Sequence, residues 1–187
     1  MKILLLTIWS FLLVSMAQAS NPDSTVVKPL DSLGKGMESL LIDYDSLCSD
    51  DFLLPKAHQY GLHPGEINRP ELLLIFENWR ATPYRYGGRT AKGIDCSGFV
   101  NVLLGEVYDV QIPGGSATIY TKVQRIPKEE LQEGDLVFFN IRKGRISHVG
   151  MYLSNDKFVH ATVHGGVMIS DLNEAYYKRY FAGAGRF

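Results

Sequence analysis

The chain has 187 residues, 45 % of them hydrophobic and 21 % charged, with a formal net charge of −1. That is enough apolar material for one sizeable core, and it excludes an intrinsically disordered chain. The near-neutral balance, with no basic run and no interleaved aromatic stripe, argues against a nucleic-acid partner.

Lys2 precedes an almost wholly apolar stretch over residues 3–14, and Ala17-Gln18-Ala19 is a small-x-small cleavage site. The stretch is too short to span a bilayer comfortably, so residues 1–19 read as a cleaved secretory signal. There are two cysteines, Cys48 and Cys96. Neither lies at the cleavage site, so the expected mature product is soluble, periplasmic or secreted, and not a lipoprotein. Export permits a Cys48–Cys96 disulfide. Against it, Met37, Leu40, Leu41, Tyr44, Leu47 and Cys48 recur at helical spacing, which makes Cys48 an apolar residue on a buried stripe.

Residues 20–67 read as an extension: a polar leader, one short helix over residues 37–48, and a loop over 49–65 containing Pro55, Gly61, Pro64 and Gly65. A main domain spans residues 68–187. Asn68 is placed to cap a helix with Pro70 and Glu71 in its first turn and Leu72, Ile75, Phe76 and Trp79 on one face. Pro83 to Gly88 break it. A second helix begins at Cys96, with Phe99, Val100, Leu103, Leu104 and Val107 as its buried stripe. Beyond Pro113-Gly114-Gly115, strand patterns occupy residues 136–140, 147–153, 157–163 and 167–170. Helices first and an antiparallel sheet afterwards predict an α+β domain.

Cys96 stands at the helix start within Asp95-Cys96-Ser97-Gly98. The helix dipole and a nearby imidazolium would lower a thiol pKa there and make a nucleophile; an inert buried cysteine is the alternative. In strand 147–153, alternation puts His148, Gly150 and Tyr152 on one face. A three-residue loop at Ser154-Asn155-Asp156 would set Gly150 opposite His160, making His160 the diagonal neighbour of His148. Two unrelated surface histidines remain the alternative. A zinc site using His148, His160 and His164 lacks His-Glu-x-x-His spacing and a nearby second cysteine. His58, His63 and His164 read as incidental, and Arg85 and Arg89 as solvated charges.

Pro83-Tyr84-Arg85-Tyr86-Gly87-Gly88, Asp95-Cys96-Ser97-Gly98-Phe99, Gly134-Asp135-Leu136-Val137-Phe138-Phe139, Ser147-His148-Val149-Gly150-Met151-Tyr152 and Phe158-Val159-His160-Ala161 resemble the successive motifs of the NlpC family of papain-like peptidoglycan hydrolases. The compact layout is most similar to its murein DD-endopeptidases. The resemblance implies a papain-like α+β fold over residues 68–187. It also implies a cofactor-free cysteine endopeptidase acting on peptidoglycan stem peptides or cross-links. In it Cys96 is the nucleophile, His148 the base and His160 the orienting residue. Tyr84, Asp95 and Ser97 match positions that line the substrate cleft; the lesser alternatives are a plain helix cap for Asp95 and a core aromatic for Tyr84. The competing functions are an N-acetylmuramoyl-L-alanine amidase and a non-catalytic peptidoglycan-binding module. The presence of both Cys96 and His148 disfavours the module. Oligomeric state is open.

Overall fold

The computed structural model describes residues 50–187 except Lys143. The readings of residues 1–19, 20–35 and 37–48, Cys48 included, lie outside the described residues. Helix α1 covers Asp50–Tyr60, where a loop was expected from Pro55. Leu53, Ala57 and Tyr60 recur at helical spacing: Ala57 is fully buried, Leu53 and Tyr60 pack against the core, and the Tyr60 ring meets Phe76 edge-on at 5.1 Å. Pro55 is exposed. Its missing hydrogen bond is outweighed by the apolar stripe it does not interrupt.

Helix α2 spans Pro70–Trp79 and buries Leu72, Leu73, Phe76 and Trp79. Its N-cap is Arg69, which makes no side-chain cap bond. Asn68, the expected cap, instead donates its N–H to Glu133 Oε2 at 2.8 Å and its amide to the Glu66 carbonyl. Pro70 at the first helical position fixes φ where no N–H is needed, so the start needs less help from a cap. A short hairpin, β1 (Arg89–Thr90) and β2 (Gly93–Ile94), leads into α3 (Cys96–Tyr108), and α4 (Ser116–Lys122) follows.

The remaining strands are β3 (Gln124–Ile126), β4 (Leu136–Phe139), β5 (His148–Tyr152), β6 (Lys157–Thr162), β7 (Gly166–Asp171) and β8 (Phe181–Arg186), with helix α5 (Ala175–Tyr180) before the last. They form one antiparallel sheet in the order β3-β8-β4-β5-β6-β7. Alternation along the strands divides the core in two. Leu136, Phe138, Val149, Met151, Val159 and Ala161 share one buried cluster with Phe76, Phe99, Leu103 and Leu104 of the helices. Val137, Phe139 and Phe158 point the other way and pack with Leu172 and Tyr177. The architecture is α+β, as the order of patterns predicts. Among the described residues no helix is long and apolar enough to cross a membrane.

Candidate active site

The turn before α3 is built by backbone pairing. Ile94 N–H donates to the Pro83 carbonyl (3.0 Å), Arg85 N–H to the Ile94 carbonyl (3.1 Å) and Asp95 N–H to the Gly88 carbonyl (3.2 Å). Gly87 sits at φ +68° and donates its N–H to Asp95 Oδ2 at 2.8 Å. Gly98 packs so closely on this turn that a Cβ there would stand 2.7 Å from the Gly88 carbonyl oxygen. The glycines of the motif let the turn lie directly against the first turn of the helix.

Asp95 is the N-cap of α3. Its Oδ1 accepts from Gly98 N–H at 2.7 Å and from the Ser97 hydroxyl at 2.8 Å. With Gly87 on Oδ2, both carboxylate oxygens face protein groups, and the residue is buried. Asp95 and Ser97 therefore organise the helix start. Tyr84 is half-buried beside them. Burial, with the negative charges Cys96 and Asp95 can carry, pushes its hydroxyl up to about 12, so it stays a protonated donor.

Cys96 begins α3 as a free thiol, 6 % exposed. Backbone N–H groups of Val149, Ser97 and Cys96 itself lie against its sulfur. The Val149 contact follows from the sheet. Tyr152 N–H bonds toward β4, to the Asp135 carbonyl, while Leu153 N–H bonds toward β6, to the Lys157 carbonyl. By alternation Val149 N–H points to the β6 side. The β5–β6 ladder pairs only Met151 with Val159 and Tyr152 with Phe158, so this donor lies beyond the ladder and is left for the sulfur. The residue whose N–H faces the sulfur is the chain neighbour of His148.

The same register sets Gly150 opposite His160. A Cβ at Gly150 would stand 3.2 Å from the His160 Cβ and 2.6 Å from the Phe158 ring, so glycine is what lets His160 close in. His148 Nε2 and His160 Nδ1 are 2.7 Å apart. Phe139 lies 5.7 Å from the His148 ring, Phe158 4.8 Å from the His160 ring, and Tyr177 stands perpendicular to His160 at 5.4 Å. His160 is 0 % and His148 7 % exposed.

This burial reverses the expected electrostatics of the thiol. Desolvation raises Cys96 to about 11, against the pull of its three backbone donors. It lowers His148 to about 4 and holds His160 well below the ordinary imidazole value. Burial thus favours the neutral thiol and the neutral imidazole.

An open cleft of about 490 Å³ adjoins the histidines, with Tyr84, Arg142, His148, Thr162, His164 and Tyr176 among its walls. Arg142 and Tyr176 were not singled out by the sequence, and His164, which reads there as incidental, also walls the cleft. They reach the cleft from the β4–β5 loop, α5 and the β6–β7 turn, and no local pattern marks them. Ser170 and Tyr177, also unsignalled, are buried behind His160. Arg85, Arg89, His58 and His63 are exposed and do not wall the cleft. Among the described residues no group of three His, Cys, Asp or Glu side chains is placed to hold a metal ion.

Residues 81–186 match the family model of the NlpC/P60 family. The chain belongs to the NlpC/P60 family. The matched segment begins just before the turn carrying Tyr84 and ends in β8. The chain is 43 % identical over 111 residues to the "Probable endopeptidase NlpC" of Escherichia coli K12, covering 59 % of this chain and 72 % of that protein. It is 39 % identical over 112 residues to the E. coli K12 protein named "Murein DD-endopeptidase MepS/Murein LD-carboxypeptidase", covering 59 % of this chain and 58 % of the relative. Among solved structures, an NlpC/P60 family protein from Bacillus cereus superposes with a TM-score of 0.57 at 32 % identity. That superposition covers 62 % of this chain and 39 % of that protein.

Proposed function

We propose that this NlpC/P60 chain is an exported cysteine endopeptidase that hydrolyses amide bonds in the peptide stems or cross-links of peptidoglycan. The observation carrying this reading is Cys96 at the head of α3 with the backbone N–H of Val149, the residue after His148, against its sulfur, and His148 hydrogen-bonded to a second histidine. A relative named as an endopeptidase and another named as a murein DD-endopeptidase support the substrate class. Peptidoglycan lies outside the cytoplasm, which agrees with reading residues 1–19 as an export signal.

The chemistry follows from neutral partners. His148 takes the thiol proton as Cys96 Sγ bonds to the amide carbonyl carbon, and the carbonyl oxygen becomes an oxyanion. Cys96 and Ser97 N–H, the first two of α3, have no intrahelical acceptor, and with the Tyr84 hydroxyl they are the donors available to that oxygen. Collapse breaks the C–N bond, His148 returns the proton to the leaving amine, and a thioester remains. Water, deprotonated by His148, then releases the acid and restores the thiol. Asp95 holds the helix start, and Ser97 buttresses Asp95.

The test is mass spectrometry of purified cross-linked and uncross-linked muropeptides after incubation with the mature protein and with Cys96→Ala. Cysteine-dependent loss of dimers is the outcome for a cross-link endopeptidase, and cleavage within monomer stems places the bond inside the stem. Intact stems freed from sugar would instead identify an amidase. No cysteine-dependent product overturns the proposal in favour of a binding module.

A further inference from the structure

His148, His160 and Ser170 lie on one diagonal across three neighbouring strands. Continued one step past Met151–Val159, the β5–β6 register sets Gly150 opposite His160, where a Cβ at Gly150 would stand 3.2 Å from the His160 Cβ, so His148 on β5 is the diagonal neighbour of His160. On the other side His160 pairs with Met168, so Ser170 on β7 is its diagonal neighbour in turn. The side chains follow that line: His148 Nε2 to His160 Nδ1 is 2.7 Å, and His160 Nε2 to Ser170 Oγ is 3.0 Å. The Ser170 hydroxyl continues to the Tyr177 hydroxyl at 3.4 Å, which also stands 3.3 Å from His160 Nε2. Ser170 is 4 % and Tyr177 8 % exposed, and His160 is fully buried.

A hydrogen bond between two ring nitrogens holds one proton, and its owner decides whether His148 can act as a base. If His160 Nδ1 owned it, His148 Nε2 would accept, and the remaining His148 nitrogen would carry a proton where the thiol needs a lone pair. If His148 Nε2 owns it, the remaining nitrogen is free to take the thiol proton, and His160 must be protonated on Nε2. That tautomer needs a buried acceptor facing His160 Nε2. We propose that Ser170 is a positioning residue that holds His160 in its Nε2–H form, with Tyr177 accepting the Ser170 proton so that the Ser170 lone pairs face the ring. The polar chain runs donor to acceptor from His148 through His160 and Ser170 to Tyr177 and contains no carboxylate. It sets a tautomer and neutralises nothing.

This rests on the proposed peptidase chemistry, and its test separates the two. In protein with ¹⁵N-labelled histidine, His160 is expected to show a protonated Nε2 and a bare Nδ1 at pH 7. Ser170→Ala is expected to shift population toward Nδ1–H and to lower kcat on muropeptides about tenfold, with KM unchanged. Ser170→Thr, which keeps the hydroxyl, is expected to restore both. A wild-type His160 protonated on Nδ1 overturns the proposal without any variant, even if Ser170→Ala fails to fold. Ser170→Ala with wild-type kcat, or with lost kcat and an unchanged tautomer, overturns it as well. Absence of muropeptide cleavage by the wild type overturns the peptidase reading alone, since the tautomer is read without turnover.

Discussion

The sulfur of Cys96 lies against the backbone N–H of Val149, the residue that follows His148. This contact joins the head of the nucleophile helix to the strand of the candidate base, beyond the Met151–Val159 end of the β5–β6 ladder. A fully paired β6 would claim that donor. The opening of the ladder also leaves His148 at the cleft while its neighbours Val149 and Met151 remain in the core.

The two histidines differ in what they lose. His148→Ala removes the proton carrier and is expected to lower kcat by about 10²–10⁴-fold. His160→Ala leaves the carrier in place and only frees its ring, so a distinctly smaller loss is expected. Steady-state kinetics on one purified muropeptide dimer decides it. Equal losses would mean the assigned roles are wrong.

Low pH should weaken the fold. The buried His148 is held near 4, whereas an unfolded histidine titrates near 6.5. Between those values the unfolded chain binds more protons than the native one, so stability falls as pH drops from 6.5 toward 4. The loss attributable to His148 is on the order of 3 kcal/mol, and His160, also depressed, adds in the same direction. Urea unfolding at pH 7 and pH 4.5 measures it. His148→Phe, which cannot take up the proton, should flatten the dependence.

The thiol should be slow to alkylate. With Cys96 near 11, only about one molecule in ten thousand carries the thiolate at pH 7. The rate of iodoacetamide modification is therefore expected to rise about tenfold per pH unit between 7 and 10. A plateau below pH 7 would reveal a stable thiolate–imidazolium pair and contradict the neutral resting state.

Asp135 secures the strand that closes the sheet. It is 2 % exposed and receives Arg186 Nε and an Arg186 terminal nitrogen, each at 2.7 Å, together with Gln132 N–H at 2.7 Å. Arg186 ends β8, the strand inserted between β3 and β4. Asp135→Ala is expected to cost about 1–3 kcal/mol, because it removes the acceptor of the Gln132 N–H and the partner of the half-exposed guanidinium. Thermal unfolding checks it, and a change below about 0.5 kcal/mol, the range of ordinary surface substitutions, would show that the pair does not hold the strand.

Helices α2 and α3 and the central strands were legible because their apolar residues recur with the right periods, whereas the short α4 and α5 have too few turns to show one. Pro55 hid α1, since a proline reads as a break until burial of Ala57 is seen. Strand β8 was hidden differently. Phe181-Ala182-Gly183-Ala184-Gly185-Arg186 has little strand propensity, and its glycines answer to distant neighbours: a Cβ at Gly185 would stand 2.4 Å from a Val123 methyl. Such a requirement has no local signature.

The candidate site divides along the same line. Cys96 at a helix start and His148 and Gly150 on one strand face follow from the chain alone, because capping and strand alternation are short-range effects, whereas the register that seats His160 against His148 was settled by the fold. The charge state of the thiol, the half-open β5–β6 ladder and the place of Ser170 behind His160 were decided only in the folded molecule. Desolvation depends on every group packed around a side chain, and a hydrogen bond across three strands depends on registers set by the whole sheet.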